Sequence, residues 1–401
     1  MSAKIGLVTL NASYKHTAFG LRYLKENIGE FFDLTEIIEF TIHKNPEEIV
    51  SQLLEKDFKI IGFGVYIWNT KETEVIIDLL RALSPDICIV LGGPEVSYET
   101  EIQSICKKAN HVICGEADFS FYQFCKNFFS QNPQQQPHII RAELPLITKI
   151  KMPYNLYSEN DIQNRSIYVE ASRGCPYKCE YCLSSLDKSV RNFDIDLFLQ
   201  EIKSLIDRGA RQFKFIDRTF NLSPTISSKI LNFFLLHIEL GLFLHFEMVP
   251  DRLPEELRHL ISQFPAGSLQ FEIGIQTFNP QVAKLVSRNN DLQKVAENFR
   301  FLSINTKVHT HADLIAGLPG ENLQSFAAGF DRLLELKPDE IQLGLLKRLK
   351  GTPIIRHDLL FQMKYNTSPP FQIISTKDMT ADEIVKMAHT ARYWDLLGNS
   401  G

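Results

Sequence analysis

Cys175-Pro-Tyr-Lys-Cys179-Glu-Tyr-Cys182 decides how this chain reads, because three of its seven cysteines fall within eight residues. The apolar run Ser166-Ile-Tyr-Val-Glu170 and the turn Ser172-Arg173-Gly174 come just before, so a short strand delivers the thiols to a tight loop. Three thiolates on one loop suit a soft iron site. A [4Fe–4S] cube ordinarily takes four thiolates, so a compact group of three leaves one iron open, and an open iron implies chemistry on a bound molecule. Structural zinc wants four closed protein ligands, and no second Cys or His pair follows at finger-like spacing. Nothing marks the chain as secreted, which argues against a disulfide.

Outward from the loop, composition sets bounds. At roughly 150 residues per domain, 401 residues allow two or three domains. A net charge of −5 without a long basic run disfavours a nucleic-acid partner. The opening Met1-Ser-Ala-Lys-Ile lacks the apolar core of a signal peptide, and no apolar stretch approaches the roughly 18 residues of a membrane span. These features predict a cytoplasmic protein with reduced thiols. Cys88, Cys106, Cys114 and Cys125 lie in apolar or helical contexts and read as small buried hydrophobes.

Upstream of the loop, strand and helix patterns alternate. Strand runs at Lys4–Leu10, Leu34–Phe40, Phe58–Ile67, Asp86–Leu91 and His111–Cys114 are followed by helical spacing over Ala18–Phe31, Pro46–Glu55, Lys71–Ala82, Tyr98–Lys108 and Ala117–Phe129. Five such units with nearly continuous apolar strands predict a parallel, doubly wound α/β sheet of the Rossmann or flavodoxin type over residues 1–130. Ligands of such sheets bind beyond the strands' carboxyl ends. Those ends carry Asn11–Thr17, Tyr66–Asn69, Gly92-Gly93-Pro94-Glu95 and Gly115-Glu116-Ala117-Asp118. Residues 131–164 turn to Asn, Pro and Gln without a clear period, which reads as a linker.

Downstream the alternation resumes. Counting the strand before the cysteines, six strands over residues 165–350 predict an open (β/α)6 partial barrel, with polar groups at the strand ends facing the site. Those ends carry Asp217-Arg218-Thr219-Phe220-Asn221, Glu247, Glu272, Gln276 and the run from Asp313 to Glu321. Residues 351–401 form a C-terminal extension with one helix near Ala381–Trp394.

The spacing C-x-x-x-C-x-x-C, with Tyr181 before the last cysteine, Arg173-Gly174-Cys175-Pro176 ahead and Leu183-Ser184-Ser185 behind, resembles the signature of the radical S-adenosylmethionine (SAM) enzymes. Residues 1–130, with Gly92-Gly-Pro-Glu95 followed by Gly115-Glu116, resemble the cobalamin-binding domain that precedes many radical SAM cores. The resemblance implies three cofactors: a [4Fe–4S] cluster on Cys175, Cys179 and Cys182, SAM on its open iron, and cobalamin. It assigns Tyr66, Trp68, Gly92, Gly93, Glu95, Gly115 and Glu116 to cobalamin. It places Asp217, Arg218, Thr219 and Phe220 near the methionine amino group, Glu247 and Gln276 near the ribose, and Ile315, Gly317 and Leu318 beside the adenine. Arg288 reads either as a partner of the cofactor carboxylate or as an ordinary helix-end arginine.

The resemblance also implies a reaction: SAM is cleaved reductively to a 5′-deoxyadenosyl radical, with methylation of an unactivated carbon as the leading outcome and an electron donor of flavodoxin or ferredoxin type as partner. One departure matters. The D-x-H-x-x-G motif that gives cobalt a histidine is absent, since His16 has no Asp two residues earlier and its glycine comes one place late. His16 therefore reads as a loop or pocket residue. The alternatives are a radical rearrangement without methyl transfer, and a non-catalytic cobalamin or cluster carrier or sensor. A methylthiotransferase is disfavoured because the first domain holds no second three-cysteine set. The substrate class is left open.

Overall fold

A computed structural model describes residues 4–399. Met1-Ser-Ala and the last two residues, at the outer ends of the expected first domain and C-terminal extension, lie outside the described residues. The chain divides into two compact units, one running to Ile167 and including Gln200–Gly209, the other made of Tyr168–Leu199 and the chain from Ala210 onward.

The first unit is built on a six-stranded parallel sheet of β1 (Ile5–Asn11), β2 (Thr35–Thr41), β3 (Ile60–Gly64), β4 (Cys88–Gly92), β5 (His111–Cys114) and β6 (Ile139–Arg141) in the order β2-β1-β3-β4-β5-β6. Every residue of β1 and β3 is buried. Strands covered on both faces need that continuous apolar run. Alternate residues feed two cores: Val8, Ile61 and Leu91 pack with Ile76, Ile77 and Leu80 on one face, while Leu7, Ile60 and Val90 pack with Leu21, Phe121 and Phe124 on the other. Strand order reverses between β1 and β3, where such sheets open a crevice for ligands.

Two local expectations change. The stretch read as a linker supplies β6, three half-exposed residues whose place is fixed by pairing with β5 and not by any periodicity of their own. The same stretch is held down by charge: Arg22, Glu39, Asp161 and Arg165 form a buried four-member ion network in which Arg22 Nη2 lies 2.9 Å and Arg165 Nη1 2.8 Å from the Asp161 carboxylate. The helix expected over Tyr98–Lys108 is two short pieces, Thr100–Ile102 and Ser104–Lys108, because Gln103 between them turns its amide onto the Glu95 and Tyr98 carbonyls.

The second unit carries β7 (Ile167–Val169), β8 (Ser172–Arg173), β9 (Arg191–Asn192), β10 (Gln212–Phe215), β11 (Phe243–Met248), β12 (Leu269–Gln276), β13 (His309–Ala316) and β14 (Glu340–Leu345), with a small antiparallel pair β15 (Lys364–Tyr365) and β16 (Ile373–Ser375). Six of these form one open parallel sheet in the order β14-β13-β12-β11-β10-β7, the partial barrel expected from the sequence. In β12 and β13 fully buried residues alternate with half-buried ones. Leu269, Phe271, Ile273 and Ile275 pack outward, and Glu272, Gln276, His311 and Asp313 share the opposite face. Aromatic rings make much of the packing, with centroids 4.4 Å apart for Phe215 and Phe246 and 3.8 Å for Phe220 and Phe246. Among the described residues no helix is long and apolar enough to cross a membrane.

Candidate functional site

The loop bearing the cysteines is closed at its base by the antiparallel pairing of β8 with β9. Inside it, the Cys175 N–H donates to the Asp187 carbonyl and the Cys182 N–H to the Cys179 carbonyl. Asp187 braces the return strand by accepting from Ser189 and from Arg191 Nη2 at 2.9 Å. Gly174 has φ of +90°, and a Cβ there would run into the carbonyl of Ser189, so the position requires glycine. That is the physical content of Arg-Gly-Cys-Pro.

All three thiols line one cavity of about 160 Å³ at the carboxyl ends of the barrel strands, shared with Tyr181, Arg218, Glu247, Gln276, Arg288 and Asp313. Among the described residues no three His, Cys, Asp or Glu side chains converge closely enough to hold a single metal ion. Thiols that share a cavity without meeting at one point suit a cube, whose iron corners hold their ligands apart. Arg288 Nη1 stands 3.6 Å from Cys179 Sγ, and Nη2 donates to the Gly274 carbonyl. Arg288 Nε is shielded from solvent and has no hydrogen-bond partner. An unpartnered guanidinium N–H in the cavity that the three thiols line suits a carboxylate such as that of SAM.

The electrostatics of the cavity are uneven. Arg218 Nη1 pairs with Glu247 at 2.8 Å. Glu272, the register partner of Glu247, accepts from His245 Nε2 at 3.0 Å, and that bond holds its carboxyl down to about 2. Asp313 goes the other way: burial, then the charges of Glu272 and Glu247, push it well above the ordinary carboxylate value. Its Oδ1 lies 3.4 Å from His311 Nε2 without a hydrogen bond. Gln276 reaches the cavity through a bulge between Gly274 and Gln276 and a φ of +72°. Non-glycine residues keep such backbone strain only where the surroundings over-determine it, commonly at functional sites.

Other residues named from sequence stand elsewhere. Thr219 lines the cavity beside Arg218, but Asp217, Phe220, Ile315, Gly317 and Leu318 are not among its lining residues. The Asp217 carboxylate accepts from the Ala171 N–H at 3.0 Å and from Ser172 Oγ at 2.6 Å, anchoring the start of the cysteine loop, and burial pushes it up to about 7. Phe220 stacks on Phe246 in the core. Gly317 packs against Ile373 and Leu318 is fully buried. The segment after β12 is tied to the end of the Asp313–Glu321 run and the helix that follows it, with Thr277 Oγ1 donating to Glu321 at 2.9 Å and Asn279 Nδ2 to Ser325 at 2.9 Å. Glu180, between Cys179 and Tyr181, was not singled out by sequence; its place between two ligand cysteines was the available signal.

In the first unit, Tyr66 and Trp68 follow β3 and stack at 4.5 Å with their rings 6° from parallel; Trp68 is 44% exposed and donates through Nε1 to the Leu10 carbonyl. Asn69 is fully buried and joins the ends of β1 and β3 by donating to the Leu10 and Gly64 carbonyls. At Gly93, φ of +110° and a Cβ position against the Val65 carbonyl again require glycine. Ser97 links the two glycine turns, donating to the Gly93 carbonyl and accepting from the Gly115 N–H. Glu95 is buried, and Glu116 is half-buried on the turn that Gly115 begins. The His16 carbonyl accepts from Asn11 Nδ2 at 2.9 Å and from Arg165 Nη2. An exposed aromatic face at the switch point, near turns whose glycines let backbone approach closely, fits a broad planar ligand such as a corrin.

Residues 169–333 match the radical SAM superfamily, and residues 5–123 match the B12 binding domain. Among curated proteins the chain is similar to the uncharacterized methyltransferase PH0819 of Pyrococcus horikoshii, 21% identical over 93% of this chain and 86% of that one. It is also similar to the ribosomal protein uS12 methylthiotransferase RimO of Nitratiruptor, 22% identical over 87% and 78%. Among solved structures, TsrM from Kitasatospora setae, a radical SAM methyltransferase with cobalamin and a [4Fe–4S] cluster bound, superposes with a TM-score of 0.70 at 15% identity, covering 91% of this chain and 78% of that one. The cobalamin-dependent SAM radical enzyme OxsB gives 0.64 at 15% identity, covering 89% and 55%. The chain joins a B12-binding domain to a radical SAM domain and is a cobalamin-dependent radical SAM enzyme, and the two domains imply a [4Fe–4S] cluster, SAM and cobalamin.

Proposed function

From that pairing of domains we propose that the protein transfers a methyl group to an unactivated carbon of its substrate, drawing electrons from a flavodoxin- or ferredoxin-type donor. The observation that carries the radical chemistry is the shared cavity of the three thiols and the unpartnered Arg288 Nε. When bound, the three cofactors supply an electron for cleaving SAM, a hydrogen-abstracting radical and a transferable methyl.

The chain's own residues bind and orient. Cys175, Cys179 and Cys182 would hold three irons of the cluster and leave the fourth for SAM. Arg288 Nε would take the carboxylate of SAM, and Gln276 and the Arg218–Glu247 pair would hold polar groups of its nucleoside. Burial pushes the carboxyls of Asp313 and Glu247 up while the His245 bond holds that of Glu272 down, so the cavity presents carboxyl groups of unlike proton affinity to whatever it binds. Met248 and Val249 line the same cavity and keep water from it. In the first unit the exposed Trp68, stacked on Tyr66, would offer an apolar face to the corrin.

Relatives and neighbours named as methyltransferases support methyl transfer. The methylthio reading is weakened because Cys88, Cys106, Cys114 and Cys125 are all buried, and burial pushes the Cys88 thiol up to about 11. The test is to incubate reduced, cluster- and cobalamin-loaded protein with SAM deuterated on its methyl and a small-molecule extract. A product carrying the label supports the proposal; 5′-deoxyadenosine without label transfer favours rearrangement.

A further inference from the structure

Glu180 sits between two cysteine ligands yet is not among the residues lining their cavity. It is 2% exposed, and a buried carboxylate is tolerated only when its oxygens are satisfied. The partners come from far along the chain. Its N–H donates to the Val286 carbonyl and its carbonyl accepts from the Ile354 N–H, both at 3.0 Å. Oε1 accepts from Ser287 Oγ at 2.9 Å and from Arg356 Nη2, and Oε2 meets His357 Nε2 at 2.8 Å. Two segments, 286–287 and 354–357, thus converge on one residue of the cysteine loop.

Ser287 itself has φ of +56°, a strained conformation held by its surroundings. The next residue is Arg288, whose Nη1 faces Cys179 Sγ. Fixing Ser287 to Glu180 therefore sets both the loop between the second and third cysteines and the arginine that approaches the cluster.

We propose that Glu180 is a positioning residue for the iron–sulfur cluster and that the turn Pro353–His357, outside the barrel strands, is part of the cluster site through it. The proposal rests on the three-cysteine reading above. Because Cys179 and Cys182 are separated by two residues only, slack at Glu180 moves both sulfurs together. Residues that orient metal ligands from behind typically change metal affinity by roughly 10- to 100-fold when mutated.

The test uses the full-length protein loaded with cluster under anaerobic conditions, comparing wild type with Glu180→Gln, His357→Leu, His357→Gln, Arg356→Ala and the double variant Glu180→Gln/His357→Leu. Iron loss to a chelator and the electron paramagnetic resonance spectrum of the reduced cluster are read, with circular dichroism establishing that each variant is folded. Glu180→Gln and His357→Leu are expected to lose iron about ten-fold faster, with a shifted spectrum. Arg356→Ala, at a more exposed position, shifts both in the same direction by less. His357→Gln, whose amide nitrogen replaces imidazole Nε2 as donor, restores wild-type behaviour. The double variant loses iron no faster than the worse single, because both remove one bond. Wild-type rates and spectra in every folded variant, or additive effects in the double, overturn the proposal while leaving the cluster reading intact. A wild type that holds no iron overturns both.

Discussion

Glu321 closes the motif that runs from Asp313, and its carboxyl offers a sharp test of the barrel's interior. It is 2% exposed; Oε1 accepts from Thr277 and Ser325, and Oε2 is buried without a hydrogen-bond partner. Burial pushes the carboxyl up to about 7 from an ordinary 4.5. The folded chain then keeps this proton at pH values where the unfolded chain has released it. Stability from this group is complete below about 4.5 and is lost as pH rises to about 7. At about 1.4 kcal/mol per pH unit the loss is about 3 kcal/mol. Glu321→Gln keeps the shape and the acceptor for Thr277 but cannot ionise. Urea titrations at pH 5 and pH 8 should find the variant close to wild type at the lower pH and about 3 kcal/mol more stable at the higher. An equal difference at both pH values would refute the burial argument.

Other outcomes follow from the same structure. Gly241→Ala, at φ of +69° with nothing within 4 Å of its Cβ position, should cost only the roughly 1–2 kcal/mol of a left-handed residue. Gly174→Ala adds a collision with the Ser189 carbonyl, so calorimetry should show a larger loss of stability and reconstitution should deliver little iron; equal effects of the two would remove the special role of Gly174. Asp161→Ala should destabilise by about 3–5 kcal/mol by stripping a carboxylate from two buried arginines, whereas Glu101→Ala, in an exposed pair with Arg141, should change stability by less than about 1 kcal/mol in the same denaturant titration. Arg288→Lys keeps a charge but loses the Nε–H. Equilibrium dialysis of labelled SAM onto cluster-loaded protein should show affinity about ten-fold weaker or worse, and unchanged affinity would move the carboxylate elsewhere.

The two sheets were legible because their physics is local. β1 and β3 are continuous apolar runs, and the barrel strands follow one another in space as in sequence, so reading them in order also gave their order in the sheet. β6 was not legible: three half-exposed residues carry no period, and only the edge of β5 makes them a strand. At the site, the cysteines were visible from their spacing on one loop, and Arg218, Glu247 and Gln276 as polar residues at strand ends. Asp217 carries the same signal but spends its carboxylate on Ala171 and Ser172, a distinction made by the fold of the loop above it. Glu272 and Asp313, neighbours in one cavity, are driven in opposite directions by a histidine on the adjacent strand and by burial, neither of which spacing encodes. Asn69 and Ser97 act through hydrogen bonds between turns that lie far apart along the chain.

The most direct measurement is the iron and cobalamin content of protein reconstituted anaerobically with both cofactors, wild type against Cys175→Ala/Cys179→Ala/Cys182→Ala. Roughly four irons in the wild type, absent from the triple variant while cobalamin stays bound through the first unit, is the predicted result. Iron retained without the three cysteines, or a wild type that takes up neither cluster nor cobalamin, would contradict the account.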